Sequence, residues 1–176
     1  HMDIKLKQKV GSIIFDENYN NIETRIKTDV SAINKFRVRE YNYAWELRDL
    51  IGIMIVTNTE EEVYKIAKKI ILKNNDCKIK DYIKNPKNGY KSIHINYSFN
   101  TKELSDIPVE IQIKTEGMKK AQDLVHDTIY KNENIPPKFK GIISKMMFKY
   151  IESKQKIDNT LQIKSSSIYK LNEYLK

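Results

Sequence analysis

The chain is poor in the residues that build several familiar kinds of site. Cys77 is its one cysteine, so an intrachain disulfide is excluded and a reducing, cytoplasmic setting is expected. Five glycines are spread over 176 residues, and neither G-x-x-x-x-G-K-[ST] nor G-x-G-x-x-G occurs. A backbone cradle for phosphate is therefore absent, and any phosphate must be held by side chains. His94 and His126 are the only histidines besides His1, too few for a histidine-built metal centre. No apolar run is long enough to cross a bilayer and no signal-peptide pattern opens the chain, so no membrane partner is expected. His1-Met2 reads as a tag remnant.

Cationic charge is plentiful. Lys and Arg number 32 against 23 Asp and Glu, a net charge of +9 that calls for an anionic partner: a nucleotide, RNA or an acidic protein. The excess is not confined to one stretch, since residues 132–176 hold nine lysines and four acids. With 40% hydrophobic residues the chain has enough apolar material for a real core, and its length suits one domain.

Strand-like and helical patterns alternate. Residues 21–27 read as a short extended piece, followed by a helix through Ser31 and Lys35 that Thr28 or Asp29 caps. Leu50–Val56 is a compact β-branched run, the mark of a buried strand. Thr59 and three glutamates open a helix with Val63, Ile66, Ala67, Ile70 and Ile71 on one face. Lys91–Phe99 alternates with a period of two, as does Pro108–Thr115. In the latter, Glu110, Gln112 and Lys114 share one face and Val109, Ile111 and Ile113 the other. A helix starting near Glu116 is expected to end at Pro136-Pro137. Two apolar stripes follow, Ile142, Ile143, Met146, Met147, Tyr150 and Ile151, then Ile157, Leu161, Ile168, Leu171 and Leu175, interrupted by Lys164–Ser167. They read as core, with docking of a second subunit in a homo-oligomer the rival use. The expected fold is a single α/β (α+β) domain with a mixed sheet, its core at about 21–131 and a helical appendage at 138–176.

The chemistry-bearing residues are cations plus two carboxylates. Lys80–His94 packs lysines, Tyr82, Tyr90 and His94 around a Pro86–Gly89 turn, a composition that suits a phosphorylated purine. Arg25 and Lys27 project to one face of an extended segment, and Ser31 and Lys35 share a helix face. Asp49 stands at the entrance of one apolar strand and Glu110 inside another. Two carboxylates on neighbouring strands beside lysines suit Mg²⁺, which takes one or two carboxylates plus phosphate oxygens. A solvated lysine loop and strand-end caps are the blander readings of the same residues.

Five segments, in order, resemble the synthetase domain of RelA/SpoT-type enzymes, and most of all the short single-domain alarmone synthetases. They are Arg25-Ile-Lys27-Thr-Asp-Val-Ser31-Ala-Ile-Asn-Lys35, Arg48-Asp49-Leu-Ile-Gly52-Ile, the stretch Lys80–His94, Val109-Glu110-Ile-Gln112-Ile-Lys114-Thr115, and His126-Asp-Thr-Ile-Tyr130-Lys131. The resemblance implies a nucleotidyltransferase-like mixed sheet and Mg²⁺-dependent transfer of pyrophosphate from ATP to the 3′-hydroxyl of GDP or GTP. It assigns Arg25, Lys27, Ser31, Lys35 and Met54 to the ATP side, and Asp49 and Glu110 to the metal, with Glu110 as general base. Lys80, Lys87, Tyr90, His94, Gln112, Lys114 and His126 fall on the acceptor side, Tyr90 stacking on guanine. Met54 and Lys114 stand where the family usually has arginine, Lys119 where short synthetases commonly have asparagine, and the Pro86–Gly89 turn is one residue short. These departures bear on acceptor choice, so tRNA stays open as an acceptor, as does a non-enzymatic nucleotide- or RNA-binding module.

Overall fold

The computed structural model describes residues 22–43, 46–73, 77–98 and 108–174. The positions His1-Met2, Asn21, Phe99 and Leu175 lie outside these residues, as do the side chains of the second stripe from Ile157 onward. Contacts divide the chain into two compact units, one of residues 22–87 and 91–119, the other of 88–90 and 120–174. Residues 138–174 of the helical appendage expected from the sequence fall in the second unit, which runs from Lys120 and takes in the tip Asn88–Tyr90.

The first unit is built on a five-stranded sheet of order β1-β2-β5-β4-β3. Its strands are β1 (Ile22–Ile26), β2 (Ile51–Thr57), β3 (Lys78–Asp81), β4 (Ile93–Ser98) and β5 (Pro108–Thr115). β2 and β5 run parallel, and the other pairings are antiparallel. Helix α1 (Asp29–Val38) follows β1, and α2 (Glu60–Lys73) follows β2. The apolar positions read from the sequence form the core: Ile51, Ile53 and Ile55 of β2, Ile93 and Ile95 of β4, and Val109, Ile111 and Ile113 of β5 pack with Val63, Ile66, Ala67 and Ile70 of α2. Each such side chain contributes about 1.5–3 kcal/mol of transfer free energy. The helix starts are chemically specified. Thr28 caps α1, its Oγ1 accepting the Ser31 N–H. At α2, Thr59 Oγ1 accepts the Glu62 N–H at 3.2 Å, while Glu62 Oε2 accepts the N–H groups of Asn58 and Thr59, a capping box. After β3, Asp81 Oδ1 accepts the N–H groups of Ile83 and Lys84, both at 2.9 Å, and Tyr64 Oη donates to Asp81 Oδ2 at 3.1 Å. These bonds fix how the chain leaves the sheet into the basic loop.

Helix α3 (Glu116–Val125) continues as a π-helical turn over His126–Tyr130, closed by the Lys131 N–H bonding the His126 carbonyl. It therefore ends before the proline pair. Pro137 is instead the first residue of α4 (Pro137–Tyr174), where a missing N–H costs nothing. Helix α4 runs unbroken through Lys164–Ser167, because serine lowers helix stability only by roughly half a kcal/mol per residue. The first stripe corrects another expectation: Ile142, Met146 and Tyr150 are exposed, and only Ile143, Met147 and Ile151 are partly covered.

Within the second unit Gly89 has φ +86°, and a Cβ there would lie 2.6 Å from Phe148 Cβ. Gly89→Ala is expected to lose at least about 1–3 kcal/mol from backbone strain alone. Denaturant unfolding measures it, and a wild-type midpoint would contradict this packing.

Candidate active site

Because the sheet period is two, the face opposite the core collects every second residue. Register places Arg25 beside Gly52, Gly52 beside Glu110, and Glu110 beside Asn96, one rung of the polar face. The next rung runs Glu23, Met54, Gln112, His94 and Lys80. Six candidates from four stretches of the sequence, Arg25, Met54, Gln112, His94, Lys80 and Glu110, thus share one surface. Lys80, expected in a loop, is a strand residue paired with His94. Gly52 serves this surface by lacking a side chain. An added Cβ would sit 3.2 Å from Arg25 Cγ, so Arg25, which lies across β2 at this bare position, would have to give way by a few tenths of an ångström.

A cleft of about 540 Å³ opens on this face, lined by Lys35, Tyr41, Glu46, Arg48, Asp49, Lys80, Asn96 and Glu110. Both carboxylates singled out from the sequence line it. Asp49, just ahead of β2, has one oxygen doubly engaged: Lys27 Nζ donates to Oδ2 at 2.9 Å and Lys35 Nζ at 2.6 Å. Its Oδ1 is buried without a hydrogen-bond partner. Burial alone raises the Asp49 pKa, but the hydrogen bonds and charges of Lys35 and Lys27 outweigh it and hold the carboxyl below its usual range.

Glu110 is held from two sides. His94 Nδ1 lies 3.0 Å from Oε1, and Gln112 Nε2 donates to Oε2 at 2.9 Å. Behind Gln112, Lys114 Nζ donates to Oε1 at 3.0 Å. That bond sets the orientation of the amide, with its NH₂ towards Glu110. Lys114 is completely buried, so it stands in this ladder and not on the cleft surface. For Glu110 too, burial raises the pKa; the His94 bond and charge and the Gln112 bond bring it below the ordinary value, with the nearby Asp49 charge opposing. Tyr82 packs edge-on against His94, ring centroids 5.0 Å apart.

The other candidates are placed as follows. Ser31 is exposed at the start of α1, its hydroxyl accepting from Thr28 Oγ1 at 3.0 Å. Lys119 Nζ lies 3.3 Å from Glu23 Oε1, at the edge of the second rung. Lys87 belongs to the first unit but does not line the cleft. Tyr90 and His126 belong to the second unit, where the His126 and Tyr130 rings stack with centroids 6.4 Å apart. Sequence reasoning missed four cleft residues. Asn96 was available from its alternation with His94 on β4. Tyr41, Glu46 and Arg48 lie between α1 and β2, where no periodicity marks them.

Among the described residues no helix is long and apolar enough to cross a membrane. Residues 24–135 match the family model described as the region found in RelA/SpoT proteins. The chain is 31% identical over 136 residues to the GTP pyrophosphokinase YwaC of Bacillus subtilis, covering 68% of this chain and 64% of that one. It thus spans less than two thirds of that relative's length. The small alarmone synthetase 1 of Bacillus subtilis bound to its product pppGpp has a similar structure: TM-score 0.66 and 22% identity, with 93% of this chain and 92% of the other covered. Small alarmone synthetase 2 from the same organism gives TM-score 0.63 and 26% identity, covering 94% and 91%. With the family model matched over most of the chain, and the mixed sheet in common with these structures, the chain belongs to the RelA/SpoT family.

Proposed function

We propose that this protein transfers a pyrophosphoryl group from ATP to the 3′-hydroxyl of a guanosine nucleotide, GDP or GTP, releasing AMP. The observation that carries this reading is the placing of Asp49 and Glu110 in one cation-rimmed cleft of a RelA/SpoT-family fold. The names of the relatives support it: one is a GTP pyrophosphokinase, and two are small alarmone synthetases.

Magnesium fits the residues present. Asp49 offers a buried, partnerless Oδ1, and Glu110 lies on the same cleft. Among the described residues no group of three metal-ligating side chains exists. That matches the habit of Mg²⁺, which uses one or two carboxylates and takes its other ligands from phosphate and water. Asp49 and Glu110 would hold it, and once bound it neutralises phosphate charge and orients the donor's phosphates.

The remaining chemistry belongs to the chain. Lys27, Lys35 and Ser31 hold the ATP phosphates, while Arg25 and Met54 flank the donor base. Lys80, Lys87, His94, Gln112 and His126 serve the acceptor; Lys114 acts behind Gln112. In the transfer the acceptor's 3′ oxygen bonds to the β-phosphorus, and the bond from that phosphorus to the α–β bridging oxygen breaks. AMP leaves with that oxygen and its electron pair. Glu110, ionised at neutral pH, takes the hydroxyl proton. Positioning and cationic stabilisation supply most of the acceleration.

The test is incubation with ATP labelled at the β-phosphate and Mg²⁺, with GDP, GTP and bulk tRNA as parallel acceptors. Label on a guanosine nucleotide together with AMP is expected; label on tRNA alone would overturn the acceptor assignment. Tyr90, matching the acceptor loop's tyrosine, is assigned to stacking on guanine, worth about 1–3 kcal/mol. Tyr90→Ala should then raise the acceptor KM by roughly one to two orders of magnitude and leave the ATP KM nearly unchanged, with Tyr90→Phe mild. An equal rise for both substrates would refute the stacking role.

A further inference from the structure

We propose that Lys27 and Lys35 lock the metal-binding carboxylate, so that the cleft takes a divalent cation only as its complex with a nucleotide polyphosphate and not as the free ion. The proposal rests on the donor-site reading just given.

The charges around Asp49 carry the argument. A single oxygen, Oδ2, receives both ammonium groups, and the pair is sheltered: Lys27 is 13% exposed and Asp49 15%. One negative charge thus faces two positive ones, and partial burial keeps these interactions stronger than in water. Glu110 adds one negative charge, already shared with His94 at Oε1 and Gln112 at Oε2, and this leaves the cleft short of charge for a bare dication. Arg48 and Lys80 add two more cations to the same cleft, against Glu46 as the one further anion. Glu46 itself is turned towards its own loop, where Oε2 accepts the Asn42 N–H at 2.8 Å.

A bare dication entering this cleft approaches Lys27 and Lys35 at close range and must also shed water, which magnesium does reluctantly. Yet an atom able to ligate it is present, the partnerless Asp49 Oδ1. The cleft has the ligand but lacks the compensating charge. A polyphosphate supplies that charge: its oxygens give the two ammonium groups new partners and release Oδ2. Metal and nucleotide therefore enter together, and occupancy of the metal site follows the nucleotide concentration and not that of the free ion.

Water-proton relaxation with Mn²⁺ as probe tests this, because the signal rises for Mn²⁺ on a slowly tumbling protein and hardly for Mn²⁺ on free nucleotide. The proteins are wild type, Lys35→Met, Lys27→Met/Lys35→Met and the double variant with Asp49→Asn added. Each is titrated with Mn²⁺ alone and with Mn²⁺ plus α,β-methylene ATP, thermal melts verifying folding. The expected result is no enhancement for wild type with Mn²⁺ alone and a clear one with the analogue. Removing a neighbouring unit charge should tighten binding of Mn²⁺ alone by roughly tenfold or more, already in Lys35→Met. Lys35 is 34% exposed, so this single variant serves if the double variant does not fold. Adding Asp49→Asn should erase the gain. Wild type that binds Mn²⁺ alone as tightly as the variants, or an analogue that brings no Mn²⁺ to wild type, overturns the lock. The label-transfer assay decides the underlying reading separately: transfer without any gain in Lys35→Met sinks the lock alone.

Discussion

Glu110→Gln is expected to fold normally and to lose pyrophosphate transfer by about two to four orders of magnitude in kcat, the range for removal of a positioned proton acceptor. The change is nearly isosteric, so β5 keeps its register and its buried partners Val109 and Ile111. The amide oxygen can still accept from Gln112, so the Lys114–Gln112 ladder persists. What disappears is charge and basicity at one point of the cleft. Single-turnover transfer with saturating ATP and acceptor separates this from weakened binding, and near-normal turnover would remove Glu110 from the chemistry.

Asp49→Asn should act on both activity and stability. Loss of one charged, preorganised group at a phosphoryl-transfer site typically costs about 10²–10³ in kcat, and the Mg²⁺ concentration needed for half-maximal rate should rise as well. The stability effect has a definite pH dependence. The folded-state pKa of Asp49 is depressed, so its ion pairs with Lys27 and Lys35 stabilise the fold fully above the unfolded carboxyl's pKa. That stabilisation is lost as pH falls through the lowered value. The stability gap between wild type and Asp49→Asn should therefore be widest near neutral pH and close as pH drops below about 4. Denaturant unfolding across this range reads it, and a gap constant with pH would show that the carboxylate's charge is not what stabilises.

Much of the fold was legible because local rules and the tertiary fold agree. Alternation in Pro108–Thr115 gave both the strand and its two faces; Thr59 with Glu62 gave the start of α2; the Leu50–Val56 run gave the interior strand β2 within one residue. These features depend on neighbours two to four residues away. Where local signals misled, longer-range packing decided: the proline pair opens α4, and part of its first apolar stripe faces outward.

For the site, the sequence by itself determined which groups exist: two carboxylates, their cations, a histidine, and a strand that aligns Glu110 with Gln112 and Lys114. It also determined, through the order of five segments, which family they resemble. Only the tertiary structure decided who meets whom. Asp49 is 22 residues from Lys27 and 14 from Lys35, yet both ammonium groups reach one of its oxygens. His94 reaches Glu110 across 16 residues because the antiparallel β4–β5 register sets Asn96 opposite Glu110 and His94 one alternation further on. Register and strand order arise from how whole faces bury their apolar residues, which no local pattern encodes. For the same reason Gly52 carried no message until Arg25 lay across it, and only the fold shows that Lys114, assigned to the acceptor side by resemblance, is buried behind Gln112.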